Sequence, residues 1–165
     1  MTVSSKQFRA LMGSFAAGVT VVTTVDDQGT PWGLTVTAFS ALSLDPPLCL
    51  ACVDRHAASH PALIAARKFA VSMLSSHQQE LSNRFASKQA DKFVDVPWRA
   101  GAATGCPILT EALAWLECRV ARVHDGGDHD IFVGEVLTTH VTDGHPLVYW
   151  RGAYGDVSVR VKPAG

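Results

Sequence analysis

Gly33-Leu34-Thr35-Val36-Thr37-Ala38-Phe39-Ser40-Ala41-Leu42-Ser43-Leu44-Asp45-Pro46-Pro47 is the stretch on which the reading of this 165-residue chain turns. It begins inside a strand predicted over Trp32 to Ala38, where threonine and valine favour a pleated backbone, and ends on paired prolines. Beyond the prolines, Leu48-Cys49-Leu50-Ala51-Cys52-Val53 is a continuous apolar run of the length of a buried strand. Upstream, Val19 to Val25 is rich in valine and threonine, and Asp26-Asp27-Gln28-Gly29 supplies the turn of a hairpin into the quoted stretch. Strands adjacent in sequence and joined by tight turns imply antiparallel pairing.

Phe8, Leu11, Met12 and Phe15 recur at helical spacing behind Ser4 and Ser5 as caps, so a first helix is predicted, ending before Gly18. Ser59-His60-Pro61 opens a second, short helix, and Phe69 to Leu74 reads as a strand. Ser76 with Gln79 has the spacing of a capping box for a third helix, with Leu81 and Phe85 on its apolar face and an end near Ser87. From Lys88 to Thr110 the prolines and glycines predict a long surface excursion. Strands follow over Ala114 to His124, Ile131 to Val141 and Leu147 to Trp150, separated by turns at Gly126-Gly127-Asp128 and Asp143-Gly144. Many short strands and few helices predict a mainly β fold with peripheral helices, an antiparallel barrel forming a single domain over 1–165.

Composition narrows the function. Lysine and arginine total 14 against 15 acidic residues, a formal net charge of −1, and no basic stripe is visible to neutralise a phosphate backbone, so nucleic acid is not an expected partner. Met1 to Arg9 lacks the apolar run of a signal peptide and no segment is apolar for the thickness of a bilayer, so a cytoplasmic chain without membrane attachment is expected. Cys49, Cys52, Cys106 and Cys118 are then reduced thiols. The Cys49–Cys52 spacing suggests a redox pair or half a zinc site, but within a buried strand residues three apart point to opposite faces, and two small hydrophobes is the better reading. Gly13 to Thr20 has P-loop glycine spacing with Val19 where the lysine belongs. G-x-G-x-x-G and G-x-S-x-G are missing. His56 and His60 find no compelling third ligand, and no metal is predicted.

The quoted stretch resembles the signature of the flavin reductase family, and the resemblance extends along the chain. Phe8-Arg9 through Gly18-Val19-Thr20-Val21-Val22, Phe69-Ala70-Val71-Ser72-Met73-Leu74, Leu81-Ser82-Asn83-Arg84-Phe85-Ala86, Ala112-Leu113-Ala114-Trp115-Leu116-Glu117-Cys118 and Gly127-Asp128-His129-Asp130-Ile131-Phe132-Val133-Gly134-Glu135-Val136 occur in family order, from about Phe8 to Tyr154. The resemblance implies a split β-barrel and an enzyme that transfers hydride from NADH or NADPH to FMN or FAD, supplying reduced flavin to a partner monooxygenase, with two such barrels paired as a homodimer.

Carried over by position, the resemblance places Thr35, Val36, Thr37 and Ala38 along the isoalloxazine. Val53, Asp54 and Ser59 become a second wall and phosphate loop, and Arg84 with Phe85 closes the ribityl-phosphate side. Lys92 is a further phosphate candidate. His129 is assigned to the nicotinamide as the catalytic-site residue, with Tyr154 beside it. Two other readings stay open. One is a flavin- or haem-binding split barrel without turnover. The other is an oxidase similar to pyridoxamine phosphate oxidases, which needs a basic cluster that the sequence does not show.

Overall fold

The computed structural model describes residues 3–155 and 157, so the ends of the domain expected over 1–165 lie outside the described residues. In chain order the elements are α1 (Ser5–Met12), β1 (Ala17–Gly18), β2 (Thr20–Val25), β3 (Pro31–Val36), β4 (Phe39–Leu44), β5 (Pro47–Asp54), α2 (His60–Ala66) and β6 (Lys68–Met73). There follow α3 (Gln79–Ala86), β7 (Trp98–Ala100), β8 (Pro107–Leu109), β9 (Ala114–Gly126), β10 (His129–Val141), β11 (Val148–Trp150) and β12 (Ala153–Gly155).

Seven strands make one antiparallel sheet in the order β3-β2-β6-β9-β10-β5-β4. Its two outer strands, β3 and β4, are consecutive in the chain, with only Thr37 and Ala38 between them. Laid flat, seven strands at their normal spacing would hold the outer two about 29 Å apart. Three Cα–Cα steps span at most about 11 Å. The sheet therefore curls until its edges approach, and the Ala38 carbonyl accepts from Cys52 N–H of β5 at 2.9 Å, tying the link to the far side of the sheet. The barrel predicted from the strand pattern is the result.

Inside the curl, Val22, Val36, Ala51, Val53, Phe69, Val71, Leu116, Cys118 and Phe132 pack together. β5 alternates as predicted, with Cys49, Ala51 and Val53 inward and Cys52 on the other face, and all four cysteines are free. A second cluster, Val19, Val21, Leu74, Phe85, Val96, Leu109 and Leu147, lies under α3 and the segment that follows it. β2 is thus covered on both sides, which explains why five of its six residues are buried. Its buried hydroxyls are satisfied: Thr20 Oγ1 donates to Val36 O at 2.6 Å and Thr24 Oγ1 to Lys68 O at 2.8 Å.

Several expectations are corrected. α1 is capped by Ser4 in a box with Gln7, but it stops at Met12, and Phe8, Leu11, Met12 and Phe15 are all exposed. The Ser76–Gln79 box is displaced by one residue: Gln78 Oε1 accepts from Ser75 N–H at 2.9 Å, while Ser75 Oγ donates to Glu111 O. The Lys88–Thr110 excursion is not wholly superficial, because β7 pairs with β8 and Cys106, Ile108 and Leu109 are buried. That return is anchored by Glu117, a fully buried carboxylate accepting from Thr104 N–H at 2.8 Å and Thr104 Oγ1 at 2.6 Å. β1, β4 and β12, like β7 and β8, are additional to the predicted strands.

Gly134 on β10 sits where a Cβ would stand 2.4 Å from Phe69 Cζ and 2.9 Å from Cys118 Cβ. Phe69 and Cys118 are fully buried and have no room to yield. Gly134→Ala is expected to cost about 2 kcal/mol by overpacking, read as a lowered midpoint in chemical denaturation. An unchanged midpoint would mean that the barrel interior adjusts freely at this point.

Candidate functional site

β3 is an edge strand, so alternate residues direct their main-chain groups away from β2. The Gly33 carbonyl is one of these outward groups, since it accepts from Ser59 Oγ at 3.0 Å and from Lys92 Nζ at 3.3 Å. By the same alternation the peptide groups of Thr35, two residues on, also face outward. Thr37 and Ala38 then leave the strand with their side chains exposed. This rim of peptide groups is the feature around which the site is built.

A cleft of about 690 Å3 opens beside Thr37 and Ala38. Its walls are Phe39, Leu50 and Cys52 from the barrel, Met12 and Phe15 from the end of α1, and Tyr149 from β11. Arg9 and Arg151 stand among these mostly apolar walls. A smaller chamber of about 380 Å3 shares Thr37, Tyr149 and Gly152 with the cleft, and is completed by Thr35, Ser82, Asn83 and Tyr154. Its polar side is organised: Tyr154 Oη donates to Asn83 Oδ1 at 2.9 Å and lies 2.9 Å from Ser82 Oγ, and Thr35 Oγ1 donates to Ser82 O at 2.7 Å.

Of the residues singled out in sequence, Thr35, Thr37, Ala38 and Tyr154 line these two spaces. Val36 and Val53 are in the barrel core, at 5% and 1% exposure, and line neither space. Phe85 is equally buried, edge-to-face on Phe93 with centroids 5.0 Å apart. Arg84 donates to Val94 O at 2.5 Å and borders a different cleft with His77, Glu80 and Val96. Its neighbour Asn83, which the sequence reading left without a role, lines the chamber instead. One helical step separates the two, and only the packing face of α3 tells them apart.

Ser59 precedes α2 but does not cap it, since its buried hydroxyl is committed to Gly33 O. Lys92 Nζ donates to Phe85 O at 2.9 Å as well as to Gly33 O, and burial lowers its pKa. These two side chains hold β3 from behind and line neither space. Lys92 joins the segment after α3 to the sheet, which is the work of a tether and not of a solvated loop lysine.

His129 begins β10, opposite Asp54 in register, with Nδ1 2.7 Å from Asp128 Oδ1. It borders neither the cleft nor the chamber. The hairpin carrying it is clamped by Arg55, whose side chain binds Asp125 and Asp130 and whose N–H donates to Asp128 O at 3.1 Å. His60 Nε2 lies 2.8 Å from the other oxygen of Asp130. Hydrogen bonding from Arg55 holds the Asp125 and Asp130 carboxyls below the usual carboxylate range. His56 does the same for Asp54 through its N–H, and His129 for Asp128.

An apolar slot bordered by peptide groups, opening into a chamber with hydroxyl and amide groups, suits a flat ring with one hydrogen-bonding edge and a polar tail. Comparison with known proteins points the same way. The family model described as a flavin reductase-like domain matches residues 12–158. The chain is similar to the reductase subunit HsaB of a flavin-dependent monooxygenase from Mycobacterium tuberculosis, 40% identical over 92% of this chain and 82% of that protein. It is also similar to the FMN reductase (NADH) SmoA of Agrobacterium fabrum, 43% identical over 94% and 87%. Among solved structures, the NADH:FAD oxidoreductase SgcE6 of Streptomyces globisporus, in complex with NAD and FAD fragments, superposes with a TM-score of 0.87 at 37% identity, covering 99% of this chain and 98% of that one.

The Arg55 clamp has a pH signature. With their folded pKa values depressed, Asp125 and Asp130 contribute stability at neutral pH that is lost as pH falls below the unfolded value of about 3.9. Denaturant unfolding between neutral pH and about pH 3 is expected to show a shallower acid loss for Arg55→Met than for the parent protein. Parallel curves would show that the clamp does not hold these carboxylates ionised.

Proposed function

The chain belongs to the flavin reductase-like family, and on that premise we propose that it is an NAD(P)H:flavin oxidoreductase that supplies reduced FMN or FAD to a partner monooxygenase. The observation that carries this reading is the free edge of β3 at Thr35, continued by the exposed Thr37–Ala38 link, beside a mostly apolar cleft. The chemistry supplied by the bound cofactors is hydride transfer from the nicotinamide to the flavin. The protein's part is positioning. Main-chain groups of Thr35 and Thr37 and the Ala38 N–H would hold the polar edge of a flavin ring, Cys52, Leu50 and Phe39 would exclude water from its face, and Ser82, Asn83 and Tyr154 would receive its polar tail. Val36 and Val53 serve by shaping the walls from within, and Ser59, Phe85 and Lys92 by fixing β3. Arg84 is left outside this arrangement.

His129 retains its assignment to the nicotinamide, on the hairpin that Arg55 clamps at the end of β5. The whole of 1–165 is taken as one domain. We assign the chain to the cytoplasm: no helix among the described residues is long and apolar enough to cross a membrane, and its four cysteines are free. We also propose a homodimer. The support is the uncovered apolar surface of α1 and the segment after it, where Phe8, Leu11 and Phe15 are 57%, 68% and 74% exposed beside the cleft.

Purified protein is expected to oxidise NADH or NADPH only when FMN or FAD is added, followed by loss of nicotinamide absorbance. His129→Ala is expected to lower kcat/KM for the dinucleotide by about tenfold, the effect of losing one polar contact. Oxidation of neither dinucleotide with either flavin would overturn the reductase reading in favour of a flavin-binding protein. Normal activity of the variant would remove only the nicotinamide contact. Replacing Phe8 and Leu11 together by serine is expected to move the mass measured by light scattering from dimer to monomer, and an unchanged mass would place the interface elsewhere.

A further inference from the structure

Among the described residues the arginines divide into those whose side chains have a hydrogen-bonding partner and those whose side chains have none. Arg55 and Arg119 pair with carboxylates, and Arg67 and Arg84 with main-chain carbonyls. Arg9, Arg99, Arg122 and Arg151 have neither kind of partner among the described residues, and of these four Arg9 and Arg151 line the 690 Å3 cleft. They come from opposite ends of the chain but are brought to one rim by the docking of the β11–β12 turn on the end of α1. Arg151 N–H donates to Gly13 O at 2.8 Å and Trp150 Nε1 to Ser14 O at 3.2 Å.

Arg151 also occupies a position that the backbone alone would not give to an arginine. The turn between Trp150 and Ala153 has positive φ at both central residues, 49° at Arg151 and 82° at Gly152. Two-residue hairpin turns of this sort select asparagine, aspartate or glycine at the first position, because a long side chain is disfavoured there. The guanidinium lies over the Trp150 ring, 4.7 Å from its centroid, which steers it without neutralising it. A disfavoured backbone holding an unpaired, oriented cation at the mouth of a cleft is the pattern of a binding position.

We propose that Arg9 and Arg151 form a diphosphate-binding clamp at the rim of this cleft. Guanidinium groups meet phosphate oxygens through paired N–H donors, and two of them match the two charges of a dinucleotide's pyrophosphate bridge. The apolar walls beyond the rim accept the ring attached to that bridge. This inference rests on the reductase reading, which brings two diphosphate-containing molecules to the site: the nicotinamide dinucleotide and FAD. FMN has a single phosphate and distinguishes them.

The test uses full-length protein with Arg9→Met, Arg151→Met, both together, and Arg122→Met as a control that removes one exposed charge elsewhere. With FMN as acceptor, the double variant is expected to raise KM for NADH by about tenfold or more, with lysine at both positions restoring only the part owed to charge, if the clamp holds the nicotinamide dinucleotide. A comparable rise in KM for FAD, with FMN unchanged, assigns the clamp to the flavin's diphosphate. KM values for NADH and FAD that match those of the Arg122 control overturn the proposal, as does a parallel rise that includes FMN. Calorimetric titration with inorganic pyrophosphate gives a readout independent of turnover. Saturable binding lost in the double variant is expected, and no binding by the parent protein overturns the clamp whether or not the chain reduces flavin.

Discussion

Thr37 and Ala38 join the outer strands of a seven-stranded sheet, and a flat sheet could not satisfy so short a connection. The curl it enforces brings β5 under the link, where Cys52 N–H meets Ala38 O. It also leaves β3 with one edge free of strand pairing. Because the same two residues close the barrel and border the cleft, the site is placed by a covalent distance limit. Side-chain preference enters only afterwards, in the choice of what surrounds the opening.

A second layer fixes the free edge from behind. Ser59 from the start of α2 and Lys92 from the segment after α3 converge on the carbonyl of Gly33, while Thr35 reaches Ser82 on α3. Three segments remote in sequence thus hold two residues of one strand. The polar groups lining the chamber, on Ser82, Asn83 and Tyr154, belong to a network that these contacts complete. Positioning and binding are divided between different side chains, and the division could not be seen before the packing was known.

How far the sequence could be read follows from the physics of each element. β2, β3, β5, β6, β9 and β10 were evident because valine-rich runs bounded by turn residues have few other uses. β4 escaped because an edge strand with mostly exposed residues has no burial alternation to read. β7 and β8 are three residues each, set among prolines and glycines that signal loop, and only the burial of Ile108 and Leu109 reveals them. That Thr35, Thr37 and Ala38 line the two spaces agrees with a stretch singled out in sequence because a linear motif carries it. Choosing Asn83 over Arg84 needed the orientation of α3, and the roles of Ser59 and Lys92 needed a carbonyl partner 26 and 59 residues away.

The outward peptide groups of β3 have an evolutionary consequence. An amide cannot be deleted by exchanging one amino acid for another, apart from the loss of N–H at proline, so the part of the site written in the main chain is shielded from ordinary point substitution. Alanine scanning along Thr35 to Ala38 would report on shape and leave the peptide groups themselves in place. Drift can alter the side chains that frame the cleft while the reading edge persists. Related proteins with different surroundings could then keep one ring recognition and diverge in what they admit beside it.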